Sequence, residues 1–197
     1  MRTIPIEAFL IFALIGVGSL VTLTAQSGGV VLSGGLVWAD VLDDQQGILN
    51  RSQAGYTAGI EMRLGADDHL YFKVGTSFSR LHFLSQDHPE STQFFAVQDG
   101  YDVLKAMAGL ETRLISTNRI NWRLSGGLTF NYVSNVLGNV RFAYMNTAFF
   151  GLRGSTGIDL SFITLDLGLE PGLSDFLEDR SDAKKPFIMT LTAGVHF

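Results

Sequence analysis

Phe187-Ile188-Met189-Thr190-Leu191-Thr192-Ala193-Gly194-Val195-His196-Phe197 closes the chain. Phe187, Met189, Leu191, Ala193, Val195 and Phe197 put an apolar residue at every second position, and Ile188, Thr190, Thr192, Gly194 and His196 take the opposite face. A period of two marks a strand whose two faces meet different surroundings. The rule repeats upstream. Ile120, Trp122, Leu124, Gly126, Leu128, Phe130 and Tyr132 alternate with Asn121, Arg123, Ser125, Gly127, Thr129 and Asn131. Tyr56, Ala58, Ile60, Met62 and Leu64 oppose Thr57, Gly59, Glu61 and Arg63; Leu70, Phe72, Val74, Thr76 and Phe78 oppose Tyr71, Lys73, Gly75, Ser77 and Ser79. Segments near 29–41, 102–115, 147–161 and 163–174 bring the count to eight, although Val30-Val31-Leu32 interrupts the alternation of the first. No long helical period appears past Ala25.

The connections alternate in length. Long polar stretches near 43–54, 85–101, 134–146 and 175–185 follow the odd strands, and short turns near 65–69, 116–119 and Phe162 follow the even ones. Short periplasmic turns opposite longer extracellular loops are the habit of barrels that cross an outer membrane. An even strand count puts both ends of the barrel on the periplasmic side, with the four long stretches outside. The expected fold is therefore all-β: an eight-stranded antiparallel up-and-down transmembrane β-barrel.

A soluble barrel or sandwich would turn the apolar face inward instead. The size of the side chains decides between them. The interior of an eight-stranded barrel is only just wide enough for side chains. Here the polar face carries charges among Gly59, Gly75, Gly109, Gly127, Gly151, Gly157, Gly168 and Gly194, whereas the other face holds the bulk of the Trp, Phe, Tyr, Leu and Ile. Small residues with paired charges fit a narrow lumen, and the bulky face fits lipid. A soluble lipocalin would also show Gly-x-Trp in its first strand, and Gly35-Leu36-Val37-Trp38 is one residue too long. Trp122 to Tyr132 and Phe187 to Phe197 are each ten residues apart on the outward face. At about 3.3 Å per residue and roughly 40° tilt this projects to about 25 Å, the height of the apolar band of such barrels.

The N-terminus reads as an address. Arg2 precedes an apolar run from Ala8 to Leu23, and Leu23-Thr24-Ala25-Gln26 offers a small residue for cleavage after Ala25. The expected organisation is a signal peptide over 1–25 and an outer-membrane barrel over 26–197. Losing Arg2 and Glu7 reduces 14 basic and 19 acidic residues to 13 and 18. A net charge of −5 offers no general attraction to phosphate backbones, so nucleic acid is not an expected partner. With no cysteine the exported fold holds together without disulfides.

Thr190-Leu191-Thr192-Ala193-Gly194-Val195-His196-Phe197 resembles the C-terminal strand of bacterial outer-membrane barrels, and the resemblance implies that its closing aromatic residue is read by the barrel-assembly machinery. Gly55-Tyr56-Thr57-Ala58-Gly59-Ile60-Glu61-Met62-Arg63, a short turn and a strand ending Phe78-Ser79-Arg80 are similar to the PorT-like barrels of Bacteroidetes. That resemblance implies a role in a secretion or surface-assembly complex. In size the chain also resembles the OmpA and OmpX membrane barrels. With Phe197 as the last residue, no peptidoglycan-binding domain is expected to follow.

An enzyme would need an imidazole to activate a hydroxyl and a carboxylate to orient it. His82 lies near Ser79 and Ser85, and His88 precedes Pro89, Glu90 and Ser91, but neither has the His-x-Ser spacing of lipid A deacylase barrels. His69 belongs to a turn and His196 to the periplasmic end. The four are too dispersed for a metal motif, so no catalytic residue, metal or cofactor is expected. Asp87, Glu90, Asp99 and Asp102 have no basic neighbour within 85–102 and suggest a cation near lipopolysaccharide; solvated surface charge is the plainer reading. Phe94-Phe95-Ala96-Val97 is an apolar cluster in the longest loop, which makes Phe94, Phe95 and Val97 the candidate interaction site; the plainer reading is that they prolong the adjacent strands above the membrane.

Alternation points Glu61, Arg63, Lys73, Lys105, Glu111, Arg113, Arg123, Arg153, Asp159, Asp166 and Glu170 inward, six basic against five acidic. Interleaved, these charges form a network that plugs the lumen; the plainer alternative is that some of them, especially Arg63 and Arg113 near the short turns, are rim charges that contribute little. On this reading Arg123 and Arg153 matter more to stability than Arg51 and Arg141 in the loops. The expected function is a non-enzymatic structural or interaction barrel in the cell outer membrane, surrounded by lipid and lipopolysaccharide and open to an envelope protein partner. The alternatives are a lipid-modifying enzyme and a narrow pore or transport component.

Overall fold

The computed structural model describes residues 29–41, 52–65, 69–83, 100–117, 120–137, 146–175 and 185–197. The signal-peptide segment 1–25 and the loop residues Phe94, Phe95 and Val97 lie outside the described residues. The strands are β1 (Gly29–Val41), β2 (Ser52–Leu64), β3 (Leu70–Phe83), β4 (Gly100–Ser116), β5 (Ile120–Leu137), β6 (Ala148–Leu160), β7 (Ile163–Pro171) and β8 (Pro186–His196). Each pairs antiparallel with the next, and β1 pairs with β8, so the sheet closes into a barrel without a free edge. Closure satisfies every strand's backbone inside the wall, which a bilayer demands.

All eight expected strands are present, and their upper ends differ from expectation. β4 begins at Gly100 and β5 runs on to Leu137, because Tyr101 pairs with Val136 and Val103 with Val133 beyond the lipid-facing Tyr132. Part of each stretch expected as loop is thus a continuation of the wall. β7 stops at Pro171, short of 174; proline has no N–H for the ladder, and only the isolated Gly151–Gly172 bridge follows. At the other end the turns are tight. Thr117 N–H donates to the Ile120 carbonyl at 2.9 Å while its Oγ1 accepts from Ile120 N–H at 3.0 Å. Ser161 turns the chain between β6 and β7 at φ 59°, a conformation glycine adopts more easily.

The outer wall is apolar around its circumference. Leu32, Ile60, Phe72, Leu110, Leu128, Leu152, Leu167 and Leu191, one from each strand, are all exposed or half-exposed. Among the described residues no charged side chain lies on this face below the level of Arg80 and Asp102. Trp122 near the short turns and Tyr132 near the long loops both face outward. Trp122 Nε1–H donates to Thr156 Oγ1 at 2.8 Å, and Phe130 and Phe150 pack with ring centroids 5.3 Å apart. Amphipathic rings at both margins of an apolar belt are how such barrels meet the bilayer interfaces.

The lumen departs from expectation at its long-loop end. There Val37, Ala39, Leu81, Tyr101, Val103, Val133, Phe149 and Ile188 point inward and pack into one apolar layer. Alternation alone assigns the lumen a polar face throughout; near the strand tops both faces turn apolar, as in Leu36-Val37-Trp38 and Phe149-Phe150.

Candidate functional site

Below the apolar layer, Lys105 and Glu170 are joined by a short ion pair, both almost fully buried. Glu170 also accepts from Thr129 Oγ1 and from Asn131 Nδ2, each at 2.8 Å. Strand alternation places all four side chains inside. The pair is therefore satisfied by neutral donors as well as by charge, the condition under which buried ions are tolerated.

Nearer the short turns a larger network centres on Glu111 and Arg123, each about 1% exposed. Glu111 lies 3.0 Å from Arg63 Nε, 3.3 Å from Lys73 Nζ and 2.9 Å from Arg123 Nη1. Arg123 reaches Asp159 at 2.9 Å and Asp166 at 3.2 Å, and Arg63 reaches Asp159 at 3.3 Å. Glu61 takes up the remaining side of Lys73 at 2.8 Å. Thr164 Oγ1 donates to Asp166 at 3.0 Å and is also a partner of Arg123 Nη2. Gly157 makes the room: a Cβ there would stand 2.1 Å from Asp166 Oδ1 and 2.8 Å from Arg123 Nη2.

Two cations stand apart. Arg113 lies over the Tyr71 ring, 4.8 Å from its centroid. Arg153 donates to Thr190 Oγ1 at 3.3 Å, and no carboxylate among the described residues lies within ion-pair distance of it. Arg63, for which a rim position was the alternative, is buried at about 2% exposure inside the network. The structure thus brings Glu61, Arg63, Lys73, Glu111, Arg123, Asp159 and Asp166 together, gives Glu170 to Lys105, and leaves Arg153 outside the ion pairs.

No family model matches the chain, and no curated protein matches its sequence. Among solved structures the chain is similar to Neisserial surface protein A at 14% identity, covering 86% of this chain and 97% of that one with a TM-score of 0.54. The fold is that of bacterial outer-membrane barrels. It is also similar to OprG of Pseudomonas aeruginosa, at 12% identity over 87% of this chain and 97% of that one with a TM-score of 0.49. With Ail, the attachment invasion locus protein of Yersinia pestis, the values are 14%, 87%, 100% and 0.46. The apolar belt and closed architecture of the chain itself suit a bilayer, with charges sorted to the inside.

On the outside of the barrel, toward the long loops, Arg80 holds Asp102 through two hydrogen bonds of 2.7 and 3.0 Å and lies 5.5 Å from the centre of the Tyr56 ring. Asp102 is therefore not an unpaired loop carboxylate: its basic partner comes from the neighbouring strand, outside 85–102. Asp87, Glu90 and Asp99 lie outside the described residues, as do His88 and the side chain of His82. Among the described residues no three metal-ligating side chains cluster.

Proposed function

We propose that this chain is a sealed outer-membrane barrel with a structural or interaction role carried at its long-loop end. One observation supports this above others: the lumen is filled twice over, by the apolar layer of Val37, Leu81, Tyr101, Val103, Phe149 and Ile188 and by the ion network around Glu111 and Arg123. A conducting pore needs a continuous polar path, and an apolar constriction packed to close contact opposes one. Function then falls to surfaces rather than to the interior. Lipid and lipopolysaccharide surround the wall, β8 presents Phe197 to the assembly machinery, and Phe94, Phe95 and Val97 are the proposed contact for an envelope partner. Membership of a secretion or surface-assembly complex rests on the PorT-like resemblance alone, carried by Gly55–Arg63, the short turn and the strand ending Phe78-Ser79-Arg80.

Purified protein inserted into planar lipid bilayers is expected to give no steady conductance above the bare membrane. Reproducible large single-channel steps would overturn the sealed reading and favour a pore.

A further inference from the structure

We propose that the cavity midway along the lumen binds a small monovalent anion of the halide class. The cavity is small, about 20 Å³, room for one water-sized guest, and Ser33, Ser77, Thr192, Lys105, Glu61 and Arg153 line it from β1, β3, β8, β4, β2 and β6. It lies between the apolar layer and the network centred on Glu111.

Lys105 is met by Glu170 and Glu61 by Lys73, and of the charges lining the cavity only Arg153 has no opposite charge within ion-pair distance among the described residues. Its Nε is buried and has no hydrogen-bond partner. Gly168 sets the guanidinium in place, since a Cβ on that residue would stand 2.9 Å from Arg153 Nη2. A cation without an ion-pair partner within the span of a membrane is costly unless further acceptors satisfy its donors.

Three more donors converge on the same space. The hydroxyls of Ser33, Ser77 and Thr192 line the cavity without a hydrogen bond to any described residue, so their protons are available to a guest. Hydroxyl and guanidinium donors around one void suit an acceptor that has no proton of its own and no preferred direction. A halide is such an acceptor. A bulkier dianion would meet the carboxylate of Glu61 on the cavity wall.

The test uses the full chain refolded in detergent, with bromide as the probe. The temperature of unfolding is followed by heat-shifted electrophoretic mobility across a sodium bromide titration, against sodium gluconate at matched ionic strength. The wild type should gain stability in bromide with a saturating dependence that gluconate lacks, and Arg153→Met should lose it. Thr192→Val keeps the side-chain shape and the guanidinium, and should weaken the apparent bromide constant by about tenfold, the worth of one hydrogen bond to a charged group. Identical curves in bromide and gluconate would overturn the proposal, as would a bromide response unchanged in Arg153→Met. Should that variant fail to refold, an unchanged constant in Thr192→Val overturns it alone.

Discussion

Replacing Glu111 with alanine is expected to lower the unfolding free energy of the barrel by about 3–5 kcal/mol, the range found when one member of a buried ion pair is removed. The carboxylate lies within 3.3 Å of Arg63, Lys73 and Arg123, so its loss leaves three buried cations to share Asp159, Asp166 and Glu61. Glu111→Gln keeps an acceptor oxygen in the same place and should cost less. Urea unfolding of the lipid-embedded protein, read by the emission of Trp38 and Trp122, measures both. A loss below about 1 kcal/mol for the alanine variant, the size of an exposed pair, would mean that water screens the network and that the lumen is not packed. Arg123 and Arg153 are predicted alike by alternation, but Arg123 makes three ion pairs and Arg153 none among the described residues, so only Arg123 belongs with Glu111 in this experiment.

Leu128→Arg tests the opposite face. Leu128 sits in β5 between Ala108 and Leu152 and is 58% exposed. If that exposure is to the bilayer core, arginine there costs about 2–4 kcal/mol. If it is to water, the same change falls within about 0.5 kcal/mol. The two outcomes do not overlap, and refolding into vesicles followed by the same urea titration separates them. A small effect would return the chain to the soluble barrels that the sequence argues against.

The wall of the barrel was readable because a period of two survives any detail of packing: Ile120 to Tyr132 and Phe187 to Phe197 could be sorted into two faces from residue type alone. Inward pointing followed from the same rule, since Arg123 and Glu111 cannot face lipid. Which cation meets which carboxylate did not follow. Partners such as Arg63 and Asp159 are 96 residues apart and meet across the lumen, where closure of β1 on β8 sets the geometry and no local signal reports it. The apolar layer was missed for a related reason. At the strand tops the outward residues are aromatic or aliphatic and so are the inward ones, and a pattern that is apolar on both faces carries no alternation to read. Asp102 shows a third kind of limit, because Arg80 is its neighbour through the sheet and 22 residues away along the chain.

The claim on which the rest depends is that the even-numbered face of β5 is a lipid surface. Single cysteines at Trp122, Leu124, Gly126, Leu128, Phe130 and Tyr132 can each carry a nitroxide, since the chain has no cysteine of its own. Collision rates with oxygen, which concentrates in the bilayer, and with a water-soluble nickel chelate then report the depth of each position. The account predicts high oxygen and negligible nickel collisions at 124 to 130, with nickel rising only at 122 and 132. Strong nickel collisions at 126 and 128 would contradict it.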